Sequence, residues 1–254
     1  MELIWYAVFA LLLTGYFALE GFDLGVGLLL PLVGRNQRGR DRMVAAMAPF
    51  VLANEVWLVA VAGTLFGVYP MLEGEVLFGL YPLVVAMLLA WIVRDAGLWF
   101  RRRADGAAWR SFWDAMITLG SLGLAFGWGM ALYAAATGFG SSLLHPVGLL
   151  LGVVVTLLLA WHGWTFLAWR APETAGITRS GRALALSGVA AALPAAAVVG
   201  GALPYLLEHS APSSTLSVLS VMVLPFAPVM VIAQVWVWRT FRPGKGPVRT
   251  LSFF

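Results

Sequence analysis

The stretch Tyr16-Phe17-Ala18-Leu19-Glu20-Gly21-Phe22-Asp23-Leu24-Gly25-Val26-Gly27 places two carboxylates inside an apolar run that extends from Leu3 to Val33. A charged side chain at mid-bilayer depth costs about 2.5–3.5 kcal/mol on insertion scales, so it needs a partner, a water-filled cavity or a proton. Residues three apart in a helix share a face, so Glu20 and Asp23 point the same way. Gly21 and Gly25 form a G-x-x-x-G step, which lets a second helix come close. The stretch reads as a membrane helix whose acids face packed protein. A blander reading is a small-residue packing face whose acids sit near the inner headgroups. The apolar residues that continue well past Asp23 weigh against it.

Composition agrees. The 254 residues are 61% hydrophobic and 11% charged, against about 25% charged in soluble domains. Long apolar runs recur along the chain, which places it among all-α, polytopic membrane proteins. With no cysteine, disulfides, thiolate metal sites and cysteine nucleophiles are excluded. The net charge of +4 is no nucleic-acid signal, because the arginines fall in short loops between apolar runs. The first apolar run lacks a basic n-region and is too long for a signal-peptide core, so no cleavable leader is expected.

About seven spans can be drawn, near residues 3–33, 43–70, 76–100, 113–136, 146–169, 183–205 and 216–240, each long enough for ~30 Å of hydrocarbon. The first two are longer than needed and must tilt, kink or project, with Pro31 and Pro49 as kink sites. Loop charge alternates. Segments 34–42, 101–112 and 170–182 and the C-terminal tail carry the arginines, whereas 70–75, 137–145 and 206–215 carry no Lys or Arg. The positive-inside rule then puts the N-terminus outside and the C-terminus in the cytoplasm, a parity that an odd span count requires. Short connections make consecutive helices antiparallel neighbours. We read residues 1–136 as a first four-helix bundle, 137–242 as a shorter three-span bundle and 243–254 as a basic cytoplasmic tail. Tryptophans near span ends suit an aromatic belt.

The residues that can carry chemistry are few. Counted from the loop 34–42, Glu20 and Glu55 both lie roughly 20 Å into the membrane by helical rise. Asp23 and Leu52 form the next level. Glu20, Asp23 and Glu55 thus make an acidic column, and intramembrane acids of this kind carry protons. The competing reading is a structural network with Asn54, its acids protonated or paired. Arg94 either pairs with Asp23 or snorkels toward the Arg101–Arg103 run, the latter being the default for a long side chain near a span end. Asp114, placed at the start of a span, suits the helix dipole. His162 is the only histidine inside a span. No second axial ligand stands at matching depth, so neither haem nor metal is expected on this chain. No phosphate loop, nucleophile elbow or zinc motif occurs, and no catalytic residue is assigned.

The run EGFDLGVGLLLPLVGRNQRGRDRMVAAMAPF from Glu20, followed by NEVWLVAVAGTLFGVYP from Asn54, resembles subunit II of the cytochrome bd quinol oxidases. WRSFWDAMITLGSL, HPVGLLLGV, HGWTFLAWR, APSSTLSV and LPFAPVMVIAQVWVWRTF extend the resemblance, in order, over nearly the whole chain. The resemblance implies a terminal oxidase of the bacterial cytoplasmic membrane that reduces oxygen to water with electrons from membrane quinol. It implies a partner, subunit I, that carries three haems and the quinol site. The present chain would hold no haem, with at most a structural quinone or lipid. It would pack against subunit I, support its assembly and contribute to a proton route.

Two departures stand out. The family usually reads Trp-Asp-Gly-Asn before the Val-Trp, whereas this chain has Val51, Leu52, Ala53 and Asn54, so the family's proton-route aspartate falls on Leu52. The chain also passes from its sixth span directly to the family's last loop, about one helical hairpin short. Two other readings stay open. One is a stand-alone proton-coupled transporter, against which the lack of an internal repeat counts. The other is an assembly-only homologue, which the lost aspartate favours.

The topology is directly testable because the chain supplies a cysteine-free background. A single Arg38→Cys replacement should resist an impermeant thiol reagent added outside intact cells and react once the membrane is opened. Ready labelling from outside would invert the orientation.

Overall fold

A computed structural model describes residues 1–243, and these are helical, with no strand. The expected tail lies, past Pro243, outside the described residues. The helices are α1 (Glu2–Val33), α2 (Gln37–Val68), α3 (Pro70–Gly79), α4 (Tyr81–Phe100), α5 (Ala107–Ala136), α6 (Pro146–Arg170), α7 (Pro172–Ala175), α8 (Gly181–Gly201), α9 (Leu203–Glu208), α10 (Ser213–Val223) and α11 (Ala227–Thr240). Seven helical segments are long and apolar enough to cross a membrane: α1, α2, α4, α5, α6, α8, and α10 with α11 taken together. This is the expected all-α, seven-span architecture. Pro31 and Pro49 both lie inside continuous helices.

Helices α2 and α5 begin six residues before the expected 43 and 113, and two other spans are interrupted by proline. The third span does not begin at residue 76. Pro70 opens a separate ten-residue helix, α3, which ends at Gly79 before Pro82 takes its place in the first turn of α4. The last span is divided by a 3-10 turn at Leu224–Phe226 that contains Pro225, with Pro228 just beyond. Proline lacks a backbone donor and restricts the residue before it, so it starts helices readily and interrupts them elsewhere.

Helix α1 is the common centre. It packs against α2, α5, α6 and α8. Close approach to α6 depends on glycine. A Cβ at Gly25 would stand 2.0 Å from the Leu159 carbonyl oxygen, and one at Gly163 would stand 2.3 Å from the Gly25 carbonyl carbon. Gly21 meets the Leu159 side chain on the same face. The small-residue step thus faces α6, while the acids of α1 turn toward α2 and α4. Consecutive spans α4–α5 and α5–α6 pack closely, as expected. Spans α2 and α4 do not, and long side chains rather than backbones bridge them.

Two apolar cores stack along α1. One gathers Trp5, Phe9, Leu12, Leu13, Tyr16 and Phe17 with Trp57 and Val61 of α2. The other gathers Phe22, Val26 and Leu30 with Met43, Met47 and Phe50 of α2 and Phe166 of α6, where Phe22 and Phe166 stack at 4.1 Å. Glu20 and Asp23 fall where one core gives way to the other on α1, and Asn54 and Glu55 fall at the same transition on α2. Large apolar side chains such as Leu3, Leu11, Val59, Phe78, Ile92 and Val221 cover the outside, as lipid contact requires.

The α1–α6 contact predicts a contrast between glycines. Gly25→Val should cost more than about 3 kcal/mol, because backbone atoms block the new side chain and cannot move aside as a flexible side chain would. Gly63, with nothing near its Cβ position, should accept alanine with a change within about 0.5 kcal/mol. Thermal unfolding of the two variants in detergent would decide the matter.

Candidate functional site

Between the two apolar cores lies a polar cluster built on one guanidinium. Arg94 of α4 is wholly buried. Its Nη1 donates to Glu55 Oε1 of α2 at 3.1 Å and to Asp95 Oδ1 at 3.3 Å, and forms an ion pair with Glu20 Oε1 of α1 at 2.8 Å. Trp91, one turn before Asp95, donates its indole N–H to the same Glu55 oxygen at 3.1 Å. Gly120 of α5 makes this possible: a Cβ there would stand 2.6 Å from Arg94 Cβ, so glycine lets α4 sit against α5 with Arg94 turned inward. The expectation that Arg94 snorkels is therefore corrected. An interior pair of carboxylates holds it more favourably than the distant headgroups, and its partners are Glu20 and Glu55 rather than Asp23.

Asp23 takes a different partner. The Asn54 amide donates to Asp23 Oδ2 at 2.7 Å and to the Leu19 carbonyl at 3.1 Å. Gln234 of α11 fixes that amide, donating from Nε2 to Asn54 Oδ1 at 2.8 Å while its own Oε1 accepts the Trp57 indole N–H at 3.2 Å. The result is a continuous line from Trp57 through Gln234 and Asn54 to Asp23. The structure thus brings Glu20, Asp23, Glu55, Asn54 and Arg94 to one place, and Gly21 and Gly25 hold the neighbouring wall.

Leu52 is not part of it. It is 58% exposed, so although the count from the shared loop sets it level with Asp23, its side chain faces away from the cluster. Depth counting gives a residue's height but not its direction. Two residues apart on a helix means about 200° of rotation, so with Asn54 turned inward, Leu52 faces out.

Asp114 lies apart from this cluster. It was expected to begin a span, but α5 starts at Ala107, and Asp114 sits two turns in. It is held by Arg101 Nε at 2.9 Å, Arg40 Nη1 at 3.2 Å and Gln37 Nε2 at 3.3 Å. Arg101, also buried, reaches Asp41 Oδ1 at 2.8 Å. This second network ties the start of α2 to the end of α4 and to α5. It is an ion-pair latch and not a dipole contact.

His162 has both ring nitrogens engaged. Nε2 lies 3.0 Å from the Ala18 carbonyl and Nδ1 lies 2.8 Å from Ser187 Oγ. In the neutral tautomer that donates from Nε2, the single proton of the Ser187 hydroxyl is shared between His162 Nδ1 and the Leu184 carbonyl, 2.9 Å from Oγ. The histidine clamps α6 to α1 and α8. Among the described residues, no group of three or more His, Asp or Glu side chains is placed to hold a metal ion.

Sequence reasoning missed Gln234, Trp91 and the pairing of Arg101. Gln234 carried a readable sign, as the sole polar side chain in the run from Ala227 to Trp238. Nothing in the sequence tied it to Asn54, 180 residues away.

The electrostatics are unbalanced. Four carboxyls, those of Glu20, Asp23, Glu55 and Asp95, share one arginine. Uncompensated charge in a dry interior is costly, so the cluster has to retain protons on some of its carboxyls. Glu20 Oε2, Asp23 Oδ1, and Nε and Nη2 of Arg94 are buried without a hydrogen-bond partner in the protein. They give the cluster spare hydrogen-bonding capacity. Its least buried members are Asp95 and Glu55, whose side chains are 28% and 11% exposed. They open it toward the thinly packed seam between α2 and α4.

A family model described as cytochrome bd terminal oxidase subunit II matches residues 1–210. Subunit 2 of the cytochrome bd-I ubiquinol oxidase of Escherichia coli (strain K12) is 32% identical over 187 residues, covering 67% of this chain and 49% of that protein. Subunit 2 of the cytochrome bd ubiquinol oxidase of Bacillus subtilis (strain 168) is 33% identical over 178 residues, covering 66% and 53%. A probable cytochrome oxidase subunit 2 of Haemophilus influenzae is 30% identical over 188 residues. The chain spans about half the length of the curated relatives it matches.

Removing the guanidinium should expose the imbalance. Arg94→Gln should lower stability by about 3–5 kcal/mol, the cost of leaving one side of a buried ion pair unpaired. Adding Glu20→Gln and Glu55→Gln should recover much of that loss. Thermal unfolding of the single and triple variants tests this, and a triple variant no more stable than Arg94→Gln alone would contradict it.

Proposed function

The chain belongs to the cytochrome bd terminal oxidase subunit II family, and from that premise we propose that it is the haem-free subunit of a quinol-oxidising, oxygen-reducing enzyme. In this reading it is a multi-pass protein of the bacterial cytoplasmic membrane, with its arginine-rich loops on the cytoplasmic side. It forms a heterodimer with a haem-bearing subunit I, which holds the haems and the quinol site. The first four spans carry the functional cluster, and the shorter set of spans after residue 136 supports them.

The observation that carries the mechanistic part is the excess of buried carboxyls over cations around Arg94. A cluster that has to keep protons, and that holds buried oxygens free of partners, is suited to take up and pass on protons. Asp23 and Glu20 act as the inner acceptors. Arg94 keeps the total charge low enough for the site to stay folded. Asn54, fixed by Gln234, holds Asp23 in place. Glu55 and Asp95 form the outlet at the α2–α4 seam, where the partner subunit would meet the route. The family's aspartate, aligned with Leu52, would have faced outward at that same surface, so its loss alters the outlet and leaves the inner acids in place. The Arg101–Asp114–Asp41 latch is structural in this scheme.

The test is respiration by the assembled complex. Asp23→Asn keeps shape and hydrogen bonding but cannot release a proton. It should slow oxygen consumption severalfold while haem content and subunit stoichiometry stay unchanged. A complex with Asp23→Asn, Glu20→Gln and Glu55→Gln that assembles and respires normally would remove the proton-route assignment and leave an assembly role. Loss of solute uptake by Asp23→Asn in cells lacking any oxidase partner would instead favour a transporter.

A further inference from the structure

The arginines near the α1–α2 turn differ in their partners. Arg40, Arg101, Arg102 and Arg110 are engaged by Asp41, Asp105 and Asp114. Arg35, Arg38 and Arg42 have no carboxylate partner within 4.0 Å among the described residues and are exposed. All three line one concavity of about 640 Å³ beneath the α1–α2 turn, closed on its far side by the α7 segment around Thr174. The hydroxyl of Thr174 is buried without a hydrogen-bond partner. One acid, Glu173, shares the lining.

From this geometry we infer that the concavity binds the phosphate headgroup of an anionic phospholipid. Three guanidiniums facing one cavity repel each other unless an anion lies between them, and guanidinium forks match phosphate oxygens. The thirty-two-residue helix α2 begins at the same place and adds its positive dipole end. The cavity also has an apolar lip. Val33 and Leu32, the latter 72% exposed, end the membrane-spanning α1 at its edge. An acyl chain continuing down α1 would cover them, whereas a free phosphate would leave them bare. Basic pockets at the ends of membrane helices take anionic headgroups for these reasons. The inference rests on the membrane placement of α1 and α2 and is independent of the proton-route reading.

The experiment uses the full chain purified with its partners in a neutral detergent and titrated with spin-labelled phosphatidylglycerol. Spin-labelled phosphatidylcholine and inorganic phosphate serve as comparison probes. Wild type should immobilise phosphatidylglycerol in preference to phosphatidylcholine. Arg35→Gln, Arg38→Gln and Arg42→Gln should each weaken that binding about fivefold, and together should abolish the preference. A second triple variant, Arg103→Gln, Arg182→Gln and Arg239→Gln, removes equal charge elsewhere and should retain it. Equal loss in both triple variants would overturn the site in favour of diffuse attraction. Displacement of phosphatidylglycerol by inorganic phosphate at equal concentration would show a free-anion site and overturn the lipid assignment. If the pocket triple keeps its lipid but loses a partner subunit, the arginines serve a protein contact and the inference fails. Should the triple variant not fold, the three single variants give the same readout.

Discussion

Everything in the interior turns on one buried cation. Arg94 has no exposed surface, yet through Nη1 alone it meets acids on α1 and α2 as well as its own neighbour. A charge in that position can exist only if its partners are fixed in place, and they can exist only if it is. This mutual requirement sets the relative height of three helices more stringently than apolar packing does. Leucine and phenylalanine accept a slip of one turn, whereas an ion pair in a dry interior does not. It also explains how α2 and α4 stay associated although their backbones stay apart. The link is made by Glu55, Arg94 and Trp91.

The apolar cores do complementary work. One above and one below, they close the polar belt off from solvent along the membrane normal and leave it a lateral opening at Glu55 and Asp95. Glycine enters at two places for a single purpose. Gly25 with Gly163 brings α6 to α1, and Gly120 brings α5 to α4. Gly25 lies on the face of α1 turned away from Asp23, whereas Gly120 meets α4 at Arg94 itself. The second charge network, around Arg101, lies seven residues along α4 from Arg94, about two turns. It ties α4 to α2 and α5 at the rim, so α4 is anchored at two heights by two arginines with different partners.

Much of this was legible before any coordinates. The span count followed from apolar run lengths, and the acids of α1 and α2 were matched in height by counting from their shared loop. Direction was harder to read. Counting residues could not say that Asn54 turns in and Leu52 turns out, because azimuth depends on which face the neighbouring helix takes. Arg94 was misread because snorkelling is an argument about one helix in lipid, and its partners belong to two others. Asp114 was misplaced by an error of two turns in where α5 begins. Gln234 was visible as an isolated polar residue, but its contact joins the two ends of the chain, and no local pattern encodes that.

The order of the elements has a consequence for synthesis. Spans enter the membrane roughly in chain order, so α1 arrives with Glu20 and Asp23 long before Arg94 exists to meet them. At that moment the helix carries two acids with no counter-ion, a burden of about 5–7 kcal/mol. What offsets it is the rest of α1, thirty-two residues filled with leucine, valine and phenylalanine, each worth about 0.3–0.6 kcal/mol toward insertion. The length and greasiness of the first helix exceed what crossing a bilayer demands. That surplus of apolar surface is enough to keep the helix inserted alone until its cation follows.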